Sequence, residues 1–201
     1  MAGRLAVAVY AVIRALAPTP PMPHPGMHDP VSALIGSCSG FATDMARTTP
    51  ATLALKKLGT AFTLAEYLYD PDAARIGLQA AEALHESPRR VLKTLIAEVD
   101  GKPVCIVLPS DCEASMKKVA VAFGGKAAAM AALAHAERIT GYKIGGVSPF
   151  GQKRALATVV EETALAEPYV YVNGGQRGLQ IRLAPADLLA AARAKAASII
   201  G

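Results

Sequence analysis

The chain has 201 residues, of which 52% are hydrophobic, enough for one good core and an appendage but not for several large domains. Its net charge of +5 permits an anionic partner such as RNA without establishing one. Three cysteines, an odd number with no C-x-x-C spacing, argue against a disulfide framework or a zinc ribbon, and a reducing cytosol is the simplest compartment.

Residues 5–16 are apolar but broken by Arg14, and the run is too short to span a membrane. Arg4 ahead of it and Ala15-Leu16-Ala17 behind it give a faint secretory-signal pattern. Pro18-Thr19-Pro20-Pro21-Met22-Pro23 then reads as a linker, because proline removes backbone donors and forbids regular ladders. Residues 1–48 are therefore expected to be a disordered extension, with Met45 as a later start and an export signal as the second reading. Residues 49–201 are the expected domain. His24 and His28 fall in the extension, and no metal site is expected there.

Thr49-Pro50 predicts a helix through Leu58, with Thr49 as N-cap and Gly59 as the stop. A strand follows over residues 62–68. Asp70-Pro71-Asp72 caps a second helix over residues 73–85, ended by Ser87-Pro88. Residues 91–99 and 103–108 form two apolar runs joined by Asp100-Gly101, the signature of a tight hairpin. One charge interrupts the first run. On strict alternation Lys93 shares a face with Val91, Leu95, Ala97 and Val99, which should point inward. A buried ammonium is costly unless it meets an anion or a ligand carbonyl. The alternative is an edge strand whose lysine snorkels to water.

Residues 116–123 predict a helix ending at Gly124-Gly125, and an alanine-rich helix is expected over residues 126–139. Strands follow at 157–161 and 169–173, and the turn Asn173-Gly174-Gly175-Gln176-Arg177-Gly178 leads into a strand at 179–183. Ala184-Pro185-Ala186-Asp187 opens a closing helix. Helices and strands interleave, yet tight turns join several strands, so the sheet must be mixed.

Two glycine-rich segments could carry chemistry. Gly145-Gly146-Val147-Ser148-Pro149-Phe150-Gly151 could bring backbone N–H groups close to an oxygen, or be an ordinary irregular loop. It lacks the Gly-Lys-Ser/Thr ending of a P-loop. Gly174-Gly175 could equally be a plain hairpin turn. No G-x-S-x-G elbow, H-E-x-x-H pair or catalytic carboxylate pair occurs. His85 and His135 read as helix-end or surface residues, and Cys105 as a small hydrophobe. Cys112 falls at an expected helix start, where a thiolate could be stabilised, but a structural role is the preferred reading.

Three strings together are more specific: Val91-Leu92-Lys93-Thr94-Leu95, Thr140-Gly141-Tyr142-Lys143-Ile144-Gly145-Gly146-Val147-Ser148-Pro149, and Tyr171-Val172-Asn173-Gly174-Gly175-Gln176-Arg177-Gly178. In order and spacing they resemble the YbaK/EbsC family of trans-editing aminoacyl-tRNA deacylases, relatives of the editing domain of bacterial prolyl-tRNA synthetase. The resemblance runs from about Thr49 to the C-terminus. It implies an α/β fold with a mixed, mostly antiparallel sheet closing toward a barrel and helices packed outside.

It further implies removal of cysteine mischarged onto tRNA-Pro, with the substrate's own thiol attacking its ester, so that no protein nucleophile is needed. Lys93 matches the family's essential lysine, and Gly145, Gly146, Val147, Ser148 and Pro149 match the wall that meets the substrate's carbonyl and terminal adenosine. Tyr67, with Tyr69 as a rival, and Ile76 match pocket positions, and Gly174 and Gly175 match the second substrate loop. Ile76 stands where the branch often has an aromatic residue, and Gln176 where it often has lysine. Expected partners are aminoacyl-tRNA, tRNA-Pro in particular, and prolyl-tRNA synthetase, in the cytoplasm, with no cofactor, metal or membrane. Intrinsic RNA affinity is expected to be weak, since basic residues look scattered along the chain. Release of another small amino acid such as Ala or Ser, or non-catalytic binding of aminoacyl-tRNA, are the alternatives.

Overall fold

In the computed structural model the described residues are 48–71 and 78–201. The expected N-terminal extension lies outside them except for Thr48, as does Ile76. The element order is α1 (Pro50–Leu58), β1 (Thr63–Glu66), α2 (Gln79–Ala83), β2 (Leu92–Val99), β3 (Lys102–Pro109), α3 (Met116–Ala122) and β4 (Ala128–Met130). It continues through α4 (Leu133–Thr140), β5 (Ala157–Glu161), a 3-10 turn (Glu162–Ala166), β6 (Val170–Asn173), β7 (Leu179–Leu183), α5 (Pro185–Ala192) and β8 (Lys195–Ala197).

The mixed, mostly antiparallel arrangement holds. One sheet has the order β4-β2-β3-β5-β8, parallel only across β3-β5-β8, and the other is an antiparallel β1-β7-β6. Among the described residues the strands do not close into a barrel. A single parallel bridge, Val91 to Tyr171, ties the small sheet to the foot of β2. Closure would need continuous ladders at both edges.

Both faces of the large sheet are buried, which is why β2 and β3 read as near-continuous apolar runs. Leu92, Ile96, Cys105 and Val107 pack with Val172 and Ile181 of the small sheet, Leu55 of α1 and Ile139 of α4. On the other face Ala97, Val99, Ile106 and Leu108 pack against Val119 of α3 and Ile199. The β2–β3 hairpin turns at Asp100 (φ 48°) and Gly101 (φ 76°), the pair of left-handed residues a type I′ turn requires.

Two expectations need correction. The alanine-rich stretch is not one helix: Ala128–Met130 pairs with Ala97–Val99 of β2, and the helix begins only at Leu133. Helix propensity of alanine is worth a fraction of a kcal/mol per residue, and an open strand edge outcompetes it. Cys112 lies short of α3, which starts at Met116, so no helix N-terminus supports its sulfur. The short β8 gave no sequence signal.

Helix α1 carries a tertiary tie. Thr49 and Thr52 form a reciprocal capping box, and the Thr49 hydroxyl also donates to the carbonyl of Gly174. Thr49→Ala should cost about 1–2 kcal/mol in chemical denaturation by removing both the cap and this bond.

Candidate active site

The ladder between β4 and β2 covers only Ala97–Val99. The first half of β2 therefore faces a cleft of about 250 Å³, bounded by the small sheet, the segment before α4 and the loop after it. Lys93 and Thr94 of β2, Tyr67 and Tyr69 beyond β1, Asn173 of β6 and Gln180 of β7 supply its polar groups. Met130, Ala131, Leu133, Ala136 and Ile144 make the opposite side apolar.

Lys93 resolves the ambiguity of its strand. Leu95, Ala97 and Val99 on its face do enter the second core, as alternation requires. Lys93 sits at the end of that row, where the core gives way to the cleft. It is half-buried, and its ammonium donates to the carbonyl of Ser110 at 3.3 Å. An ammonium has three donors, so one bond leaves capacity for a ligand.

The small sheet presents its polar row to the same space. Asn173 and Gln180 are register partners, and Ala65 of β1 stands beside Gln180. Val170, Val172 and Ile181, on the alternate positions, go into the main core. Tyr67 donates its backbone N–H to the Gly178 carbonyl at 2.9 Å; burial, the largest cause, pushes its phenol up, with the neighbouring Gln180 side chain opposing it. Gln180 is only 4% exposed, and among the described residues its Oε1 accepts no hydrogen bond and the buried Thr94 hydroxyl has no partner. Buried polar atoms lacking partners are uncommon, and in a cleft wall they are acceptors available to a ligand.

The two glycine loops are laced together. Asn173 Nδ2 donates to the Gly145 carbonyl at 3.0 Å and Arg177 Nε to the Ile144 carbonyl at 2.9 Å. The Arg177 guanidinium also lies 5.3 Å from the centre of the Tyr69 ring. Of the loop residues expected at the site, Gly145 and Val147 line the cleft. The others face elsewhere. A Cβ on Gly146 would stand 3.3 Å from the backbone of Gln176 and Arg177, so this glycine lets the loops touch. Ser148 is fully buried, its carbonyl accepting from Gln152 Nε2, and Pro149 is buried beside it. Gly174 bonds back to Leu179 and accepts from Thr49, and a Cβ on Gly175 would press on the Tyr142 ring at 2.8 Å. These five support the loops from behind.

Neither described cysteine is a candidate nucleophile. Burial pushes the Cys105 thiol up to about 11, and burial also raises Cys112; neither lines the cleft. His135 is tied to Glu98 at 2.8 Å on the outside of α4. Among the described residues no group of three or more His, Cys, Asp or Glu could hold a metal, and no helix is long and apolar enough to cross a membrane. Sequence reasoning missed Thr94, Asn173 and Gln180. Alternation within β6 and β7 placed the last two on one face, but nothing in the sequence said which face met the cleft.

The sequence profile described as the aminoacyl-tRNA editing domain matches residues 70–191. EbsC of Enterococcus faecalis, provisionally named a Cys-tRNA(Pro)/Cys-tRNA(Cys) deacylase, is 39% identical over 121 residues, 59% of this chain and 73% of that protein. A crystal structure described as a candidate trans-editing enzyme for prolyl-tRNA synthetase superposes with a TM-score of 0.67 at 24% identity, covering 76% of this chain and 95% of the other. A hypothetical protein superposes with a TM-score of 0.68 at 24% identity, over 76% of this chain and all of the other; at such identities the likeness is one of fold. The chain belongs to the aminoacyl-tRNA editing domain family. In activity it is an aminoacyl-tRNA deacylase of the YbaK/EbsC kind.

Proposed function

We propose that this deacylase removes cysteine from mischarged tRNA-Pro in the cytoplasm, selected together with prolyl-tRNA synthetase. One observation carries the reading: the Lys93 ammonium and the Gly145–Val147 segment converge on a small, largely apolar cleft. The apolar side suits a small uncharged side chain, and the ammonium suits the ribose-phosphate end of a charged tRNA. In the cleavage step the substrate thiol sulfur bonds to its own ester carbon and the bond to the ribose oxygen breaks. The thiol proton ends on that oxygen, and a cyclic thiolactone leaves. The protein then has to hold the ester, steady the charge that develops on its carbonyl oxygen and keep competing groups out.

The decisive measurement is release of label from tRNA charged with Cys, Ala, Ser or Pro. Cys-tRNA-Pro should be cleaved fastest, and S-alkylated Cys-tRNA-Pro should be spared. Equal turnover of the alkylated substrate would remove the thiol from the mechanism, and preference for Ala or Ser would reassign the pocket.

Gln180 has a separate role in this reading. Its buried Oε1, unpartnered among the described residues, accepts from the substrate's α-ammonium in this reading, with Tyr67 beside it. Gln180→Leu should raise KM by roughly tenfold, the worth of about one charge-assisted hydrogen bond, with little change in kcat. A loss confined to kcat would argue against it.

A further inference from the structure

Strands β3, β5 and β8 are parallel neighbours, so all three begin at the same end of the large sheet. Each start carries basic side chains: Lys102 opens β3, Arg154 precedes β5, and Arg193 and Lys195 flank the start of β8. The four are exposed, and among the described residues none forms an ion pair. They line two adjoining grooves, of about 400 and 540 Å³, which share Phe123, Gly124 and Ala157. Among the described residues Asp100 is the one carboxylate in these walls. Its two oxygens accept from the backbone N–H groups of Lys126 and Ala127, and it acts on Lys102 only at longer range.

We propose that this basic edge is a docking surface for the sugar-phosphate backbone of the tRNA, away from its aminoacylated end. The inference rests on the deacylase reading above for the identity of the RNA. Neighbouring strands lie about 4.8 Å apart and Lys195 stands level with Ile106, four residues beyond Lys102, so the starts are staggered and span roughly 16 Å. That is about five phosphate-to-phosphate steps, at roughly 3.4 Å of helix axis per nucleotide along one strand. Grooves walled by cations with a half-buried aromatic between them, rather than an apolar patch, favour a polyanion over a folded protein surface. Lys93 pairs with Leu108 near the far end of β3, so along the strands the basic edge runs from roughly 7 Å off the level of Lys93, at Lys195, to roughly 20 Å, at Lys102. The 3′ end of a tRNA could therefore enter the cleft while its stem rests on this edge. Residues separated by some 90 positions in sequence make one positive surface, so the basic charge is not as scattered as the chain order implied.

The test is binding of uncharged tRNA to the full chain, followed by fluorescence anisotropy across a salt series. Arg154→Ala combined with Lys195→Ala should weaken binding by roughly tenfold or more at low salt. It should also flatten the slope of log K against log salt by about one unit per lost contact. Cleavage of a short 3′-aminoacyl fragment lacking the stem should stay unchanged, which also shows that the variant is folded. Unaltered affinity and slope would overturn the proposal, as they would if the edge served an acidic protein instead. Because the RNA here is uncharged, a wild-type protein that binds in this way but cleaves no Cys-tRNA would refute only the deacylation reading.

Discussion

Lys93→Ala is expected to lower kcat/KM for deacylation of Cys-tRNA-Pro by about 10²–10³, the cost of removing one fixed donor from a developing oxyanion or its anchored phosphate. The fold should survive. The ammonium is half-buried and holds a single bond to the Ser110 carbonyl, so stability should change by no more than about 1 kcal/mol. Lys93→Arg should also be impaired, because a planar guanidinium cannot take the place of a compact ammonium at the foot of this strand. Thermal unfolding run beside single-turnover kinetics separates the two effects. Full turnover by the alanine variant would exclude the lysine from the chemistry, and loss of cooperative unfolding would make its role structural.

Glu161→Ala is expected to have the largest effect on stability. Its side chain is fully buried at the end of β5, with Oε2 accepting from the backbone N–H groups of Ile199 at 2.7 Å and Ile200 at 3.2 Å. Its Oε1 also accepts from the backbone N–H of Thr163 in the 3-10 turn. Through these bonds one carboxylate holds the C-terminal residues against the second core, where Ile199 is fully buried. The variant leaves buried donors unpaired and a void beside them, at a cost of about 3–5 kcal/mol in denaturant unfolding. A change below about 1 kcal/mol would mean that water or another acceptor replaces the carboxylate.

The two variants report on different parts of the molecule. Lys93 lies where the sheet opens toward ligand, and its loss should move kinetics. Glu161 lies where the sheet closes over its own C-terminus, and its loss should move stability.

What the sequence determined by itself was local. The Thr49 cap with Pro50, the Asp100-Gly101 turn and the alternation that places Lys93 with Leu95 and Ala97 depend on neighbours a few residues away, so their physics is written in short strings. The recurring glycine strings brought the family into view for the same reason. Tertiary structure decided the rest. It took Ala128–Met130 out of a helix to cover part of an open strand edge, and it set Gln180 and Thr94 into the cleft without partners. It packed Gly146 against the backbone of Gln176 and Arg177, buried Ser148, and set Gly174 and Gly175 against Leu179, Thr49 and Tyr142. Lys102, Arg154 and Lys195 come toward one end of the large sheet only because three neighbouring strands run parallel. Each of these depends on which distant segments meet, and the free energy of such contacts comes from burial and pairing across the fold, which no local window of residues contains.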